Sequence, residues 1–112
     1  MNGNRTKLFI AALLLVTGTL PLLAQQTASV TISVKNHRFQ PAEIYAPAKV
    51  PIELHVKNLD ATPMEFESVS LRVEKVVTGN SEGVIRTRAL APGRYEFFDD
   101  FHPETRGALV AK

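Results

Sequence analysis

The chain has 112 residues, with 13 Lys and Arg against 11 Asp and Glu, which gives a formal net charge of +2, and it contains no cysteine. The absence of cysteine excludes disulfide bonds and metal centres that need a thiolate, the blue-copper type included. The nearly balanced charge leaves no basic surface large enough to neutralise phosphates, so nucleic acid is not expected as a partner.

The first 24 residues have the pattern of a secretory signal peptide. Arg5 and Lys7 precede an apolar run over residues 8–16, and the small residue Ala24 stands before two polar residues. The run is shorter than the ~20 residues of a membrane span, whereas this order of charge, apolar core and small residue is typical of an export signal. We predict cleavage after Ala24, with an uncleaved N-terminal anchor as the alternative.

The predicted mature domain comprises residues 25–112. Its formal charge is 0, because the signal peptide carries Arg5 and Lys7 and leaves 11 basic and 11 acidic residues. This length suffices for one small domain and no more. An exported chain without cysteine fits a bacterial periplasm, and a domain of this size without disulfides needs a compact core, with or without help from a metal. We therefore expect one periplasmic domain.

Alternation of apolar and polar residues predicts β-strands along the whole mature chain. Residues 30–35 and 50–57 alternate most regularly, with the period of two of a half-buried strand. Shorter strand patterns lie around Ile44 and at residues 69–77, 84–88, 95–98 and 108–111. Turn residues separate these segments, and no helical stripe of useful length appears. The pattern predicts an all-β sandwich of about seven strands.

Two segments resemble the ligand loops of the cupredoxin family. Residues 58–66 resemble the loop in which Asn and Asp precede a Pro-His, with Met64 at the place of the first His ligand. In the second loop, Asp99 stands at the place of the copper-binding Cys and His102 matches the His-Pro. Thr105 replaces the axial Met. The resemblance implies a cupredoxin-like Greek-key β-sandwich without a blue-copper centre.

Several blocks of sequence are similar to a cupredoxin-like group that is associated with periplasmic ferrous-iron uptake, often called EfeO-type. These blocks are residues 60–63, 65–68, 74–77, 92–95, 97–99 and 101–103. Their occurrence together and in order is more specific than any one of them. The resemblance implies an accessory protein that binds iron or copper beside a high-affinity iron permease.

Acidic residues and a single imidazole stand in or next to the two loops. In the implied fold these loops meet at one end of the sandwich. The predicted metal ligands are His102, Asp99, Asp100, Glu65, Glu67 and Met64. Carboxylates and imidazole suit iron, Cu(II), Mn(II) or Zn(II), and a thioether favours copper. We predict that Cu(II) or iron binds near His102.

Each predicted ligand also has a structural interpretation. His102 and the two aspartates can bond backbone groups of a turn. The two glutamates can be solvated strand residues, and Met64 can fill the core at the end of the loop. We predict that His37 and His55 lie on the surface.

Two functions remain open from the sequence. The first is a metal-binding or electron-transfer module that helps to oxidise or deliver iron, with an iron permease and other iron-uptake proteins as partners. The second is a metal-free interaction domain that has lost the metal site. Because the spacing suggests no nucleophile–base pair, we do not expect an enzyme. Nothing in the sequence requires more than a monomer.

Overall fold

The computed structural model describes residues 26–112, which form nine β-strands and no helix. The strands are β1 Ala28–Lys35, β2 Arg38–Gln40, β3 Glu43–Ala46, β4 Ile52–Asn58, β5 Met64–Ser68, β6 Val73–Val77, β7 Ser81–Thr87, β8 Gly93–Asp99 and β9 His102–Ala111. The predicted signal peptide lies outside the described residues. Within residues 26–112, no helix has the length and apolar character that crossing a membrane requires.

The strands form two sheets that face each other across one core. The four-stranded sheet has the order β2-β1-β4-β7, and the five-stranded sheet has the order β3-β9-β8-β5-β6. Both are mixed, because β1 runs parallel to β4 and β3 runs parallel to β9. The chain passes repeatedly from one sheet to the other. The predicted all-β sandwich is confirmed, with nine strands in place of about seven.

The prediction of a single strand over residues 69–77 is wrong, because a turn interrupts it. β5 ends at Ser68, whose hydroxyl donates to the carbonyl of Glu96 at 2.6 Å and accepts from the amide of Leu71 at 3.1 Å. These bonds fasten the turn to β8. Val69, which made the segment read as a continuous strand, is 81% exposed in this turn. Apolar periodicity alone therefore misplaced the boundary.

Three phenylalanines form the aromatic centre of the core. Phe97 of β8 packs edge-on against Phe39 of β2, with ring centroids 4.9 Å apart, and its centroid lies 4.8 Å from that of Phe66 of β5. All three side chains are buried. Aromatic pairs at these separations add stability beyond the apolar area that they bury. This contact fixes β2, β5 and β8 relative to one another, close to the strand ends that carry the predicted ligands.

Candidate metal centre

The two predicted ligand loops meet at one end of the sandwich, as expected. The amide of Glu65 donates to Oδ1 of Asp99 at 3.0 Å, and the amide of Asp100 donates to the carbonyl of Glu65 at 2.8 Å. In the ladder between β5 and β8, Phe66 lies directly opposite Asp99. The start of β5 and the end of β8 are therefore joined by both backbone and side-chain bonds.

Asp99 and Asp100 point to opposite faces of the five-stranded sheet. Asp99 is completely buried, whereas Asp100 is exposed, as expected for adjacent residues at the end of a strand. The predicted ligands are consequently divided between two groups. The imidazole group is His37, Asp99 and His102; the carboxylate group is Glu65, Glu67 and Asp100. Within each group, one potential ligand atom of each residue lies within 4.8 Å of the others.

A hydrogen bond to Asp99 orients the His102 ring. Nδ1 of His102 lies 3.0 Å from Oδ2 of Asp99, and because a carboxylate accepts and does not donate, Nδ1 carries the proton. Oδ1 of Asp99 accepts from the amides of Glu65 and Phe101, both at 3.0 Å. Nε2 of His102 is then the nitrogen left for a ligand, and the side chain is 31% exposed. Metal-binding histidines commonly have such a carboxylate behind them.

His37 is a member of the imidazole group that the sequence prediction missed. It was predicted to lie on the surface, and its side chain is indeed 47% exposed. Its ring, however, lies against that of His102, with centroids 4.0 Å apart and planes inclined by 31°. Asn36 and His37 have φ values of 51° and 56°, which is typical of the two central residues of a type I′ hairpin turn. The sequence showed a turn here but not the direction in which it projects.

Two side chains from other segments hold this turn against His102. The carboxylate of Asp60 accepts from the amides of Asn36, at 2.6 Å, and His37, at 2.9 Å. Partial burial raises the pKa of Asp60, but the bonds from these two amides and the nearby positive charge together hold the pKa below its usual value. From the opposite side, Thr105 donates its hydroxyl proton to the carbonyl of His37 at 2.6 Å. The residue at the place of the axial Met therefore supports the turn.

Asn58 in turn holds the loop that carries Asp60. Its side chain is buried, and Nδ2 donates to the carbonyls of Thr62 at 2.8 Å and Val77 at 3.1 Å. Its Oδ1 accepts from the amide of Asp60 at 3.1 Å. A buried amide with these partners gives the loop a defined shape. Asp60 thereby has a fixed position next to the turn that contains His37.

The carboxylate group lies on the outer face of the five-stranded sheet. Glu65 and Glu67 both project from this face of β5, as predicted, and Glu74 of β6 lies directly opposite Glu67 in the ladder. Partial burial, followed by the hydrogen bonds and charges of Glu74 and Asp100, raises the pKa of Glu65 to about 7. Partial burial and the same two neighbours also raise the pKa of Glu67. The group therefore concentrates negative charge at one place.

Met64 and His55 lie away from both groups of potential ligands. Met64 is 2% exposed and belongs to the hydrophobic core, in agreement with its alternative interpretation as an apolar filler. His55 lies on the four-stranded sheet, with Nε2 3.0 Å from Glu53 and Nδ1 3.5 Å from Glu82. Its two nitrogens thus face two carboxylates of its own sheet.

The donors at this end of the sandwich do not fit a blue-copper centre. Such a centre needs a cysteine thiolate, and the corresponding position holds Asp99, whose oxygens already accept three hydrogen bonds. The imidazoles of His37 and His102 instead suit ions such as Cu(II) or Zn(II), and the carboxylates suit harder ions, iron included.

This fold and these loops define a cupredoxin-like protein, and the chain belongs to the cupredoxin-like domain family, whose model matches residues 7–111. A curated relative, the uncharacterized protein RP394 of Rickettsia prowazekii (strain Madrid E), is 41% identical over 81 residues. The match covers 72% of this chain and 65% of the relative. The chain thus spans slightly less than two thirds of that protein.

Solved structures of copper proteins share the fold. Auracyanin A, a "blue" copper protein of Chloroflexus aurantiacus, matches with a TM-score of 0.65 and 15% identity, over 78% of this chain and all of its own. The metal-binding domain of the Cu(I)-exporting P-type ATPase CopA of Streptococcus pneumoniae D39 matches with a TM-score of 0.63 and 16% identity. That match covers 80% of this chain and 99% of the domain. At these identities the similarity establishes the fold alone.

Proposed function

We propose that this protein is an exported, periplasmic metal-binding accessory protein, not an enzyme. In this proposal it holds a copper or iron ion at the end where β5 begins and β8 ends, and it assists the oxidation of ferrous iron or its delivery to a membrane iron permease. The observation that carries the proposal is the hydrogen bond between the buried Asp99 and Nδ1 of His102, which leaves Nε2 of this partly exposed ring as the nitrogen for a ligand.

The burial of Asp99 is a costly arrangement for an ordinary turn. A carboxylate taken out of water loses hydration that only hydrogen bonds can replace, and Asp99 is completely buried. An exposed aspartate could bond the amide of Phe101 in the turn without that cost. Full burial adds a bond to the amide of Glu65 on β5 and a fixed orientation of the His102 ring. The fixed orientation is what a metal ligand requires. This favours a binding role over a purely structural one.

The carboxylate group supports the link to iron. Glu65, Glu67 and Asp100 lie on the other side of the strand end that holds Asp99, and their oxygens are ligands that hard cations prefer. A cation would also reduce the repulsion from Glu74 and Asp100, which adds to the effect of partial burial in raising the pKa of Glu65. Imidazole nitrogens in one group and carboxylate oxygens in the other fit a protein that binds copper, iron or both.

Metal titration tests this proposal directly. The protein is expressed from the full chain, purified from the periplasm of the host, and titrated with Cu(II) and, under anaerobic conditions, with Fe(II). We expect binding of at least one ion and a higher melting temperature, because a ligand of the folded state stabilises that state. We expect His102→Ala to bind Cu(II) at least 10-fold more weakly, whereas His55→Ala, a substitution on the other sheet, keeps the wild-type affinity. Equal affinities of wild type and His102→Ala would contradict the proposed role of His102.

The metal-free interaction domain is the second candidate, and one observation favours it. Both oxygens of Asp99 have protein hydrogen-bond donors, so this buried carboxylate is stable without an ion. If neither Cu(II) nor Fe(II) binds or raises the melting temperature, the proposal of a metal-binding protein is rejected and this alternative replaces it.

A further inference from the structure

We infer that the imidazoles of His37 and His102 together chelate one Cu(II) ion, with Asp99 positioning His102. This inference rests on the proposed function and deepens it. It adds a ligand from the turn between β1 and β2, and it assigns copper to the imidazole group. Neither the cupredoxin pattern nor the spacing of the sequence pointed to His37, which is 62 residues before Asp99 in a different sheet.

The two rings lie close enough to share one ion after a small adjustment. Bonds of about 2.0–2.1 Å from imidazole nitrogen to metal, at right angles or wider, place the centres of two neighbouring imidazoles at least about 4.5 Å apart. The observed separation is 4.0 Å, so the rings need to part by only a few tenths of an ångström to share an ion. The rings are inclined by 31° and partly exposed, so a cation can reach them from solvent. A ring nitrogen of each histidine lies within 4.8 Å of the other.

The backbone around His37 is fixed before any ion binds. Asp60 accepts from two amides of the turn, and Thr105 donates to the carbonyl of His37 itself. On the facing turn, Asp99 accepts a hydrogen bond from Nδ1 of His102 and so fixes the orientation of that ring. A donor pair that is already held in place loses little conformational entropy on binding, which increases affinity. These three side chains thus act as positioning residues for the pair.

The environment of the His37 ring is compatible with a ligand. Nδ1 of His37 lies 3.8 Å from the nearest carboxylate oxygen of Asp60, which is beyond hydrogen-bond distance. The ring is therefore oriented by the turn and by its contact with His102 and is not committed to that carboxylate.

Two imidazoles favour copper over the other candidate ions. Divalent copper binds nitrogen sites more tightly than Mn(II), Fe(II) or Zn(II) do, in the order of their general affinities. The carboxylate group contains no imidazole, so the two groups should differ in their metals. Water can complete the coordination sphere, because His37 and His102 are 47% and 31% exposed.

Electron paramagnetic resonance of bound Cu(II) tests the chelate. The protein, expressed from the full chain and purified from the periplasm, receives one equivalent of Cu(II), and pulsed spectra count the imidazole nitrogens coupled to the ion. We expect two imidazoles in the wild type, one in His37→Ala, and a loss of affinity of at least 10-fold in that variant. The double variant Glu65→Gln/Glu67→Gln should keep the two-imidazole spectrum. The melting temperature of each metal-free variant reports whether it still folds.

The outcomes separate the chelate from the proposed function. If Cu(II) binds to His37→Ala with wild-type affinity and an unchanged spectrum, the chelate is rejected while the metal-binding function stands. Binding of Fe(II) without binding of Cu(II) also rejects the chelate and leaves the metal-binding function standing. If the folded wild type binds neither ion, both the chelate and the proposed function are rejected.

Discussion

Asp99 is a fully buried carboxylate that joins three segments of the chain. Its oxygens accept from the amide of Glu65 on β5, from the amide of Phe101 in the following turn, and from the ring of His102. All three distances are 3.0 Å. Because a buried donor that loses its acceptor is costly, this residue has a structural role that is independent of any ion.

We expect Asp99→Asn to destabilise the metal-free protein. An amide of the same shape presents one oxygen and one NH₂ group, so the three donors lose their charged acceptor. The Nδ1–H of His102 then faces the NH₂ group unless the ring proton moves to Nε2. The cost of such a mismatch is about 1–3 kcal/mol in the free energy of unfolding. Asp100→Asn is the matched control, because its side chain is exposed and should change stability by no more than about 0.5 kcal/mol. Urea unfolding measures both, and equal stabilities of the two variants would contradict the role of Asp99.

At the level of single residues, the sequence named five of the residues that the structure brings together in the two groups, but not their grouping. That these residues bind a metal stays a prediction. His102 was identified because a His-Pro follows an acidic pair at a loop of known type, and Glu65 and Glu67 because period-two alternation puts them on one face. The same alternation places Asp99 and Asp100 on opposite faces. The prediction did not apply it to these two residues at the end of the strand. His37 was missed because ring contacts between two turns depend on the tertiary fold.

Among the secondary-structure elements, the loop between β4 and β5 determines the position of the turn that carries His37. The loop holds Asp60, and it packs closely against the turn between β6 and β7, where the amide of Asn80 donates to the carbonyl of Asp60 at 2.9 Å. A Cβ atom at Gly79 would lie 2.0 Å from the carbonyl oxygen of Ala61. This contact is between backbones, so no change of side-chain rotamer can relieve it.

We therefore expect Gly79→Ala to be more destabilising than Gly83→Ala. At Gly83 a Cβ atom would approach only side chains, the nearest being Cγ2 of Val77 at 2.9 Å and Cε of Lys75 at 3.2 Å. Overpacking in a well-packed region costs about 1–3 kcal/mol, and Gly79→Ala should reach at least the upper part of this range. Urea unfolding of the two variants gives the comparison, and a larger loss in Gly83→Ala would contradict this account of the loop.

The strands themselves were largely predictable, and the errors have physical causes. Residues 30–35 and 50–57 alternate regularly because each strand has one face in the core and one in solvent, and both are confirmed in β1 and β4. The three residues of β2 are too few to show a period. The turn at Val69 was predicted as a strand because the sequence alone does not distinguish an exposed valine from a buried one.

For the whole molecule, the all-β sandwich follows from the distribution of strand patterns and turns, and the cupredoxin-like family from the loops at one end. The two sheets enclose one core with Phe39, Phe66 and Phe97 near its centre. The fold alone does not determine the metal, the partner or the periplasmic location, which are proposals. The fold supports them by bringing the start of β5, the end of β8 and the turn after β1 together.

A crystal structure of the copper-loaded protein, with anomalous scattering recorded at the copper edge, tests the central claim most directly. The account predicts one anomalous peak between the rings of His37 and His102, about 2.0–2.1 Å from a nitrogen of each, with the hydrogen bond between Asp99 and His102 preserved. A copper peak at Glu65, Glu67 and Asp100 alone, or a fully soaked crystal without any copper peak, would contradict it.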